Sequence, residues 1–344
     1  MKKLLTAVCC AVLLIPVMTQ AGVIRHDVAN QAYLNLAAQD QFKPVGDLVY
    51  GKSGLNSFRR RCSGTLISAN FVLTAAHCVD NSETNYMEFN VGGSIYQGQS
   101  WVAHDSWTGG DTLASLLEGW DIGLVLLAEA VQNVTAALLY GGNNEVGNVG
   151  THVGFGRGGN GLSGDVQLSG TKRAGTNEID EINFFGETHG RLLWNDFDAP
   201  AGTDPAQGTG INSNPSYLEN PMAWYGASSG TALDLEMGIA PGDSGGGYFL
   251  EDNGEWFLAG VHSFGVAVSG DNDLNSGYGE FSASTRVSSF TSWISQTQAL
   301  LAPEVVVSAP GSLLTMCSAG MVMLVMRRRK RVRASSGLCI AACK

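Results

Sequence analysis

The hydrophobic pattern of the chain is a series of short apolar runs separated by Gly, Asn, Asp and Ser. The runs contain β-branched and aromatic residues, and such runs with turn residues between them are typical of antiparallel sandwiches or barrels. We therefore expect an all-β fold rather than one in which strands alternate with helices. The runs that support this prediction are 64–67, 71–76, 122–127, 152–155, 247–250 and 256–268.

Two segments depart from the strand pattern. Between residues 289 and 301 the apolar residues Phe290, Trp293 and Ile294 recur at helical spacing, which predicts a C-terminal helix. Residues 158–230 are instead rich in Gly, Asn, Asp, Ser and Pro, with scattered aromatic residues. We interpret this region as long surface loops inserted between strands, because it lacks an apolar stretch that would supply a second core.

The N-terminal residues have the layout of a secretory signal peptide. Lys2 and Lys3 provide a basic start, residues 4–18 are apolar, and Ala21 is the small residue before the predicted cut. We therefore expect residues 1–21 to be removed on export. The alternative, an uncleaved membrane anchor, is less favoured because the apolar run is shorter than the roughly 20 residues of a membrane span.

The C-terminal residues have the layout of a second targeting signal. Residues 302–311 form a spacer with a sorting motif, residues 312–326 are uncharged and mostly apolar, and a basic cluster begins at Arg327. An apolar run stopped by basic residues holds a C-terminus in a membrane with the charges on the cytoplasmic side. The layout resembles the PEP-CTERM class of bacterial sorting tails, although residues 308–310 depart from Pro-Glu-Pro. It implies that 312–344, a membrane segment and basic tail, anchors the protein briefly in the inner membrane before a cut near the spacer. A soluble tail is the alternative, because the apolar run is short.

The charge balance argues against one broad class of partner. The 20 basic and 31 acidic residues give a formal net charge of −11, and many of the basic ones lie at the two ends. A body this acidic repels phosphate backbones, so we expect no nucleic-acid binding. With 344 residues and 44% hydrophobic content, the chain is long enough for one large domain or two packed lobes.

Only two of the seven cysteines lie in the body of the chain, Cys62 and Cys78. In an exported protein such a pair is expected to be bridged, and its short loop would contribute about 3 kcal/mol of stability. We expect no cofactor and no metal, because the histidines outside the motifs below lack i,i+4 pairing or Cys partners. The segment that begins at Asp271 starts like a calcium-binding loop. However, Ser276 stands where such a loop has its glycine, and Ser282 stands where it has its closing glutamate.

Three segments carry the groups that nucleophilic catalysis needs. His77 ends one apolar strand, Asp121 precedes another, and Ser244 lies in the glycine-rich turn 241–247. A serine hydroxyl is a weak nucleophile that needs a neighbouring base, and the base needs a third group to fix its tautomer. Glycines around the serine let backbone N–H groups converge on one point, as an oxyanion hole requires.

These segments resemble the trypsin and chymotrypsin family of serine peptidases. The chain reads Thr-Ala-Ala-His-Cys at 74–78, Asp-Ile-Gly-Leu at 121–124 and Gly-Asp-Ser-Gly-Gly at 242–246, with Gly123 in place of the family's alanine. The resemblance spans roughly residues 22–301. It implies two six-stranded antiparallel β-barrels, chymotrypsin-like, with a C-terminal helix and long inserted loops. It also implies a serine endopeptidase that hydrolyses proteins or peptides through an acyl-enzyme intermediate.

The matching positions imply a role for each catalytic residue. His77 would act as general base and then general acid, Asp121 would orient it, and Ser244 would attack the carbonyl carbon. The backbone N–H groups of Gly242 and Ser244 would hold the oxyanion.

The resemblance also implies a specificity pocket around Gly238, Ser263 and Gly265. Gly238 stands where an aspartate would select basic residues, so we expect a preference for uncharged, medium to large apolar side chains. Glu280 could still enter the pocket from the far wall.

The chain departs from the family at two further positions. Ala240 stands where a cysteine of the family's second disulfide is usual. Asp243 corresponds to the acid that receives a new N-terminal amine after cleavage at Ile-Val-Gly-Gly, a sequence that is absent here. Val23 is the nearest substitute, so we expect signal processing, with trimming of Gly22, to produce the activating terminus. An internal cut at 59–61 is the rival hypothesis.

Parts of the sequence also fit other functions. A catalytically inactive family member that serves as an exported surface binding protein is the alternative. The motif at 242–246 also fits the nucleophile elbow of α/β-hydrolases, but His262 follows Ser244 too soon for that fold. Residues 154–159 fit a dinucleotide-binding motif, but the sequence after them has no helical pattern.

Overall fold

The computed structural model describes residues 22–109, 112–227, 230–267 and 274–302. The predicted signal peptide, the tail from residue 303 onward and the calcium-like segment 271–273 lie outside these ranges. The strands of the described residues are β1 (Gly22–Ile24), β2 (Val45–Lys52), β3 (Phe58–Leu66), β4 (Phe71–Thr74), β5 (Tyr86–Val91), β6 (Ser94–Ala103), β7 (Gly123–Leu127), β8 (Leu138–Leu139), β9 (Val149–Gly154), β10 (Gly158–Asn160), β11 (Gly164–Gln167), β12 (Arg173–Glu178), β13 (Leu192–Asp196), β14 (Met237–Gly238), β15 (Gly247–Asp252), β16 (Glu255–Val266) and β17 (Phe281–Arg286).

The helices of the described residues are short. The α-helices of the described residues are α1 (Asn30–Ala37), α2 (Leu113–Leu117), α3 (Pro215–Leu218) and α4 (Thr291–Leu301). Turns of 3-10 helix occur at Asp40–Phe42, Ala76–Cys78, Pro205–Gln207, Met222–Tyr225 and Val287–Ser289.

The first half of the described chain forms a closed barrel with strand order β2-β3-β4-β7-β6-β5. Its neighbouring strands are antiparallel, and closure pairs β2 with β5, which removes the exposed sheet edges. Side chains from several strands, including Leu48, Leu66, Val72 and Phe89, are fully buried in one apolar cluster. This barrel is the first of the two that the family resemblance implied.

The second large sheet has the order β12-β9-β15-β16-β17-β13, with β8 added in parallel to β16. Its outer strands approach each other through an isolated bridge between Glu181 and Trp194, just after the end of β12. Because β12 ends at Glu178, the two edges meet at this bridge rather than along a full ladder. The all-β prediction is confirmed, with one closed barrel and one curled half-barrel.

Residues 158–230 contain more structure than the predicted surface loops. They form β10 to β13 and α3, and β10 and β11 join β1 and β14 in a small third sheet. Aromatic residues of this region, among them Trp194, Phe197 and Tyr217, are buried in one cluster with Phe281 of β17. The scattered aromatic side chains therefore pack against the half-barrel. The region therefore shares one apolar core with the half-barrel.

The predicted C-terminal helix is present as α4 and follows the turn Val287–Ser289. Phe290, Trp293 and Ile294 lie in the apolar cluster that also contains Leu124 of β7. No helix within the described ranges is long and apolar enough to cross a membrane.

Candidate active site

His77 lies in the 3-10 turn Ala76–Cys78 that follows β4. Its neighbour Cys78 is bonded to Cys62 of β3, with the two Cα atoms 6.3 Å apart, so the predicted disulfide is present. The bond fixes the turn against the barrel wall, while the His77 side chain stays 24% exposed. The imidazole is therefore anchored at its base and accessible at its tip.

Asp121 precedes β7 and is fully buried beside the His77 turn. Its Oδ2 lies 2.8 Å from His77 Nδ1, and its Oδ1 accepts a hydrogen bond of 3.0 Å from the His77 backbone N–H. Ser263 Oγ also donates to Oδ2, and Thr285 Oγ1 donates to the Asp121 backbone carbonyl at 2.8 Å. Burial raises the pKa of Asp121, but the charge and hydrogen bonds of His77 and the Ser263 hydroxyl outweigh it and lower that pKa overall.

These contacts determine the chemistry of the imidazole. A carboxylate that accepts a hydrogen bond from Nδ1 keeps the proton of the neutral ring on that nitrogen. The lone pair of the ring therefore lies on Nε2. His77 is thus prepared to accept a proton on the side away from Asp121.

Ser244 lies in a turn that forms hydrogen bonds to both sheets. Its carbonyl oxygen accepts a hydrogen bond of 2.7 Å from Ser63 N of β3 and lies 3.8 Å from Cys78 Sγ. Gly245 follows with φ +80°, and a Cβ there would lie 2.0 Å from Thr74 Oγ1. Only glycine fits this position, and the close packing places Ser244 beside the segment that carries His77.

The backbone N–H groups of the turn divide into two sets. Those of Asp243, Gly245 and Gly246 donate to backbone carbonyls at 2.9, 2.7 and 2.7 Å. Within the described ranges, the N–H groups of Gly242 and Ser244 have no intramolecular acceptor. Gly242 has φ +100°, a value that side chains disfavour. This is the pair of donors that the sequence analysis predicted for an oxyanion hole.

Ser63 was not predicted from the sequence, yet it connects three parts of the site. Its Oγ donates to the Gly242 carbonyl and accepts from Phe155 N, both at 2.9 Å. These bonds join β3 of the closed barrel to the serine turn and to the chain after β9.

Asp243 is fully buried behind the serine turn. Its two oxygens accept hydrogen bonds from Gly156 N at 2.7 Å and Ala240 N at 2.9 Å. Burial raises its pKa to about 7, although both hydrogen bonds and the charge of Arg173 act in the opposite direction. Arg173 is itself fully buried, and its Nε donates to Asn30 Oδ1 at 2.5 Å. The sequence analysis did not identify Arg173.

A cavity of about 270 Å³ opens beside Ser244. Ser263 and Gly265 line it, together with Asp165, Ile239, Ala240, Pro241, Phe264, Leu274 and Ser276. Gly238 is not among these lining residues. It pairs with Val23 in the small sheet and faces the Phe197 ring, so it lies behind the wall.

Glu280 does not supply a pocket charge either. Its carboxyl oxygens accept hydrogen bonds from Asn275 N at 2.7 Å and Ser276 N at 3.0 Å. Glu280 therefore fixes the backbone of Asn275 and Ser276, in the segment that forms the far wall of the cavity. Asp165 was missed because it lies in the region interpreted as surface loops.

Parts of the chain are similar in sequence to known proteins. Residues 41–192 match the family model Trypsin. Chymotrypsin-C of Bos taurus is 27% identical over 257 residues, which cover 70% of this chain and 79% of that protein. Chymotrypsin-like elastase family member 1 of Macaca fascicularis is 37% identical over 83 residues, covering 22% of this chain and 30% of that protein. A solved structure of HL collagenase matches with a TM-score of 0.49 and 19% identity, covering 76% of this chain and 96% of that chain.

The family match and the relation to chymotrypsin-C support a trypsin-like serine peptidase with protein or peptide substrates. The matched range includes His77 and Asp121. The disulfide between Cys62 and Cys78 is consistent with export.

Proposed function

We propose that the protein is an exported serine endopeptidase that uses Ser244, His77 and Asp121 as its catalytic triad. The observation that carries this proposal is that, within the described ranges, the N–H groups of Gly242 and Ser244 have no intramolecular acceptor, and that Ser244 lines the cavity. Neighbouring N–H groups of the same turn are all used internally. A site prepared to receive an oxyanion supports acyl transfer more directly than it supports passive binding.

The proposed reaction assigns one role to each of these groups. Ser244 Oγ attacks the carbonyl carbon of the substrate while its proton passes to His77 Nε2. The negative oxygen is held by the two N–H groups, and the imidazolium is stabilised by the Asp121 carboxylate. His77 then returns the proton to the leaving amine, which releases the first product and leaves an acyl-enzyme. Water, deprotonated by His77, hydrolyses the ester and restores Ser244.

The cavity supports a preference for an uncharged apolar side chain next to the cleaved bond. Its apolar lining comes from residues such as Ile239, Phe264 and Leu274. Among the described residues that line the cavity, Asp165 is the one carboxylate, and it lies 3.8 Å from Arg157 Nη1, which offsets its charge. Peptides cleaved only after Arg or Lys would contradict this preference.

A fluorophosphonate probe tests the assignment of the nucleophile. We expect covalent labelling of the purified body, residues 22–302, and loss of labelling in Ser244→Ala. Ser57→Ala changes an exposed serine away from the site and serves as the matched control, which should label normally. Failure of the folded wild-type protein to react would favour the binding-protein alternative.

The two chain ends support a route to the cell exterior. We propose export by a signal peptide over residues 1–21, brief anchoring of the tail 312–344 in the inner membrane, and release or attachment at the cell surface after cutting near Pro310. Intact mass measurement tests this. A mature species that retains Arg327 would contradict processing.

A further inference from the structure

Two histidines are buried together in the half-barrel. His152 lies on β9 and His262 on β16, and both residues are 0% exposed. Their ring centroids are 4.8 Å apart, and the His152 ring also stacks on Tyr248 of β15 at 3.9 Å. We call His152 and His262 the histidine pair. The proposed reaction uses neither of them.

The ring nitrogens of the histidine pair lack hydrogen-bond partners. Within the described ranges, Nδ1 and Nε2 of both rings are buried and unpaired. Ser284 stands opposite His262 in the pairing of β16 with β17, and its Oγ is also buried without a partner. A neutral imidazole brings one N–H donor, but an imidazolium brings two N–H donors and a full charge. Burial of an unpaired charge costs far more than burial of an unpaired polar group, so the folded structure favours the neutral rings.

The groups around the histidine pair do not compensate a positive charge. On β12, Gly175 stands opposite His152 and has no side chain. On β15, the Tyr248 hydroxyl donates its proton to the Asn177 carbonyl at 2.9 Å. The carboxyl groups whose charges act on Tyr248 are those of Asp180, Glu236, Glu178 and Asp196. In the part of the chain that the structure describes, none of these four forms a hydrogen bond or an ion pair with either ring.

Proton uptake by the histidine pair therefore works against the folded state. Burial lowers the pKa of His262 to about 3 and that of His152 well below its ordinary value, and the charge of His262 lowers the pKa of His152 further. Burial also raises the pKa of Asp180 to about 10 and that of Glu236 to about 8. Both carboxyl groups carry a proton and no charge in acid, so neither is a counter-ion for an imidazolium.

The backbone of His262 connects the histidine pair to the candidate active site. The His262 carbonyl accepts a hydrogen bond of 2.7 Å from Gly245 N, and the His262 N–H donates to the Gly246 carbonyl at 2.9 Å. The next residue along β16, Ser263, donates to Asp121 Oδ2. This part of β16 therefore fixes both the serine turn and the carboxylate that bonds to His77.

We propose that the histidine pair is an acid-sensitive switch that fixes the serine turn only while both rings are neutral. In acid, a conformation in which β16 opens and a ring reaches water binds a proton that the closed conformation excludes. Proton binding therefore shifts the population towards the open form. The serine turn then loses its two hydrogen bonds to His262, and it recovers them when the pH returns to neutral.

The histidine pair stabilises the closed form at neutral pH. An exposed imidazole has a pKa of about 6.5, and the folded-state pKa values of both rings are lowered. The contribution of the neutral pair is therefore complete above about pH 6.5 and is lost as pH falls towards about 3. Asp180 and Glu236, whose pKa values are raised, act in the opposite direction. The test therefore compares variants with their parent instead of relying on one pH profile.

The parent protein for the test is the full chain with Ser244→Ala, so that neither autolysis nor failure of the proposed peptidase activity affects the result. Urea unfolding is followed by tryptophan fluorescence between about pH 4 and 7.5 in the parent, His152→Leu and His262→Leu. Leucine has a similar size and takes up no proton. Since each buried imidazole gains one proton on unfolding, the unfolding constant of the parent should rise about 10-fold more per pH unit below about pH 6 than that of either variant. Equal pH dependence in all three proteins would overturn the proposal.

A surface histidine and the ring signals of the parent complete this measurement. His26→Gln changes an exposed histidine and is the matched control, which should keep the pH dependence of the parent. Nitrogen NMR spectra of the parent need no substitution in the core. Two of the six histidine rings should stay neutral at about pH 5 in the folded protein. Titration of all six rings above that pH would also contradict the proposal.

Hydrogen exchange of the serine turn separates a switch from a purely structural pair. The N–H groups of Gly245 and Gly246 are both hydrogen-bonded in the closed form. Their exchange, corrected for the intrinsic rate, should be at least about 10-fold faster at about pH 5 than at about pH 7 in the parent, and His262→Leu should lack this increase. His77 is present in both proteins, so its own protonation does not account for a difference. Equal protection of the turn at both pH values in the parent would show that the histidine pair is no switch.

Discussion

Asp121 receives hydrogen bonds on both carboxyl oxygens, and these fix the ring of His77. In Asp121→Asn the amide would present an N–H to one partner and favour the wrong tautomer of the imidazole. We expect kcat to fall about 10⁴-fold. Ser263→Ala removes one neutral donor and should lower kcat about 10-fold. Steady-state hydrolysis of a peptide ester, with circular dichroism to verify folding, measures both. Near wild-type activity of Asp121→Asn would contradict its role.

The positive charge of Arg173 favours the ionised form of Asp243 and lowers the pKa of that carboxyl group. It pairs with Gly154 across β12 and β9, and a Cβ on Gly154 would lie 2.2 Å from Asp243 Oδ1. Opposite positions of an antiparallel pair share a face, so the Arg173 side chain extends towards the same carboxyl group. A protonated Asp243 would lose one of its two backbone hydrogen bonds and loosen the turn that carries Gly242.

Removing this charge should therefore impair catalysis in a pH-dependent way. In Arg173→Met the pKa of Asp243 rises above its value of about 7, so kcat at pH 7 should fall about 10-fold and the activity profile should move to higher pH. Arg173→Lys keeps a positive charge and should recover part of the loss. Arg60→Met changes an exposed arginine and is the control. A profile that does not move would mean that Arg173 has a purely structural role.

At the scale of elements, the disulfide joins β3 to the turn that carries His77. It closes a loop of 16 residues, for which the chain-entropy model gives about 3 kcal/mol. Replacing both Cys62 and Cys78 by Ala should lower the free energy of unfolding by about this amount. Urea denaturation should show a lower midpoint and a higher m-value, because the unfolded chain without the cross-link is less compact. Two free thiols in freshly isolated protein would contradict the bond.

Elements with local signals could be predicted from the sequence. The helix α4 follows from apolar spacing over one segment, and the motifs around His77, Asp121 and Ser244 are short strings of neighbouring residues. Ser63 could not be predicted in this way, because its hydrogen bond to Gly242 spans 179 positions. The sequence around Ser63 does not indicate this hydrogen bond, because it forms only when the two sheets pack together.

The inserted region shows a second limit of sequence patterns. Its aromatic residues follow neither a strand nor a helix period, so the pattern predicted exposed loops. The cluster that contains Trp194, Phe197 and Tyr217 forms from residues distant in sequence. The position of Gly238 was missed for a similar reason, since β1 covers it through pairing with Val23.

At the scale of the whole molecule, the first described strand lies beside the segment that bonds to Asp243. Strand β1 lies between β10 and β14, and Val23 is fully buried within it. Gly22 pairs with Gly158, two residues beyond Gly156, whose N–H donates to Asp243. The sequence analysis favoured a mature terminus at Val23. Because Gly22 is itself buried and paired in β1, we also expect a terminus at Gly22 as the alternative.

We therefore predict that cleavage after Ala21 leaves a positive amine on Gly22 that favours the ionised form of Asp243 and orders the serine turn. Sequencing of the mature protein should start at Gly22. A body with an added N-terminal Ala-Ala extension should lose at least about 10-fold in kcat, because the amine moves away from its buried position. A body with the same two residues added after residue 302 is the matched control. Full activity of the N-terminally extended protein would contradict the prediction and would leave Arg173 as the charge that keeps Asp243 ionised.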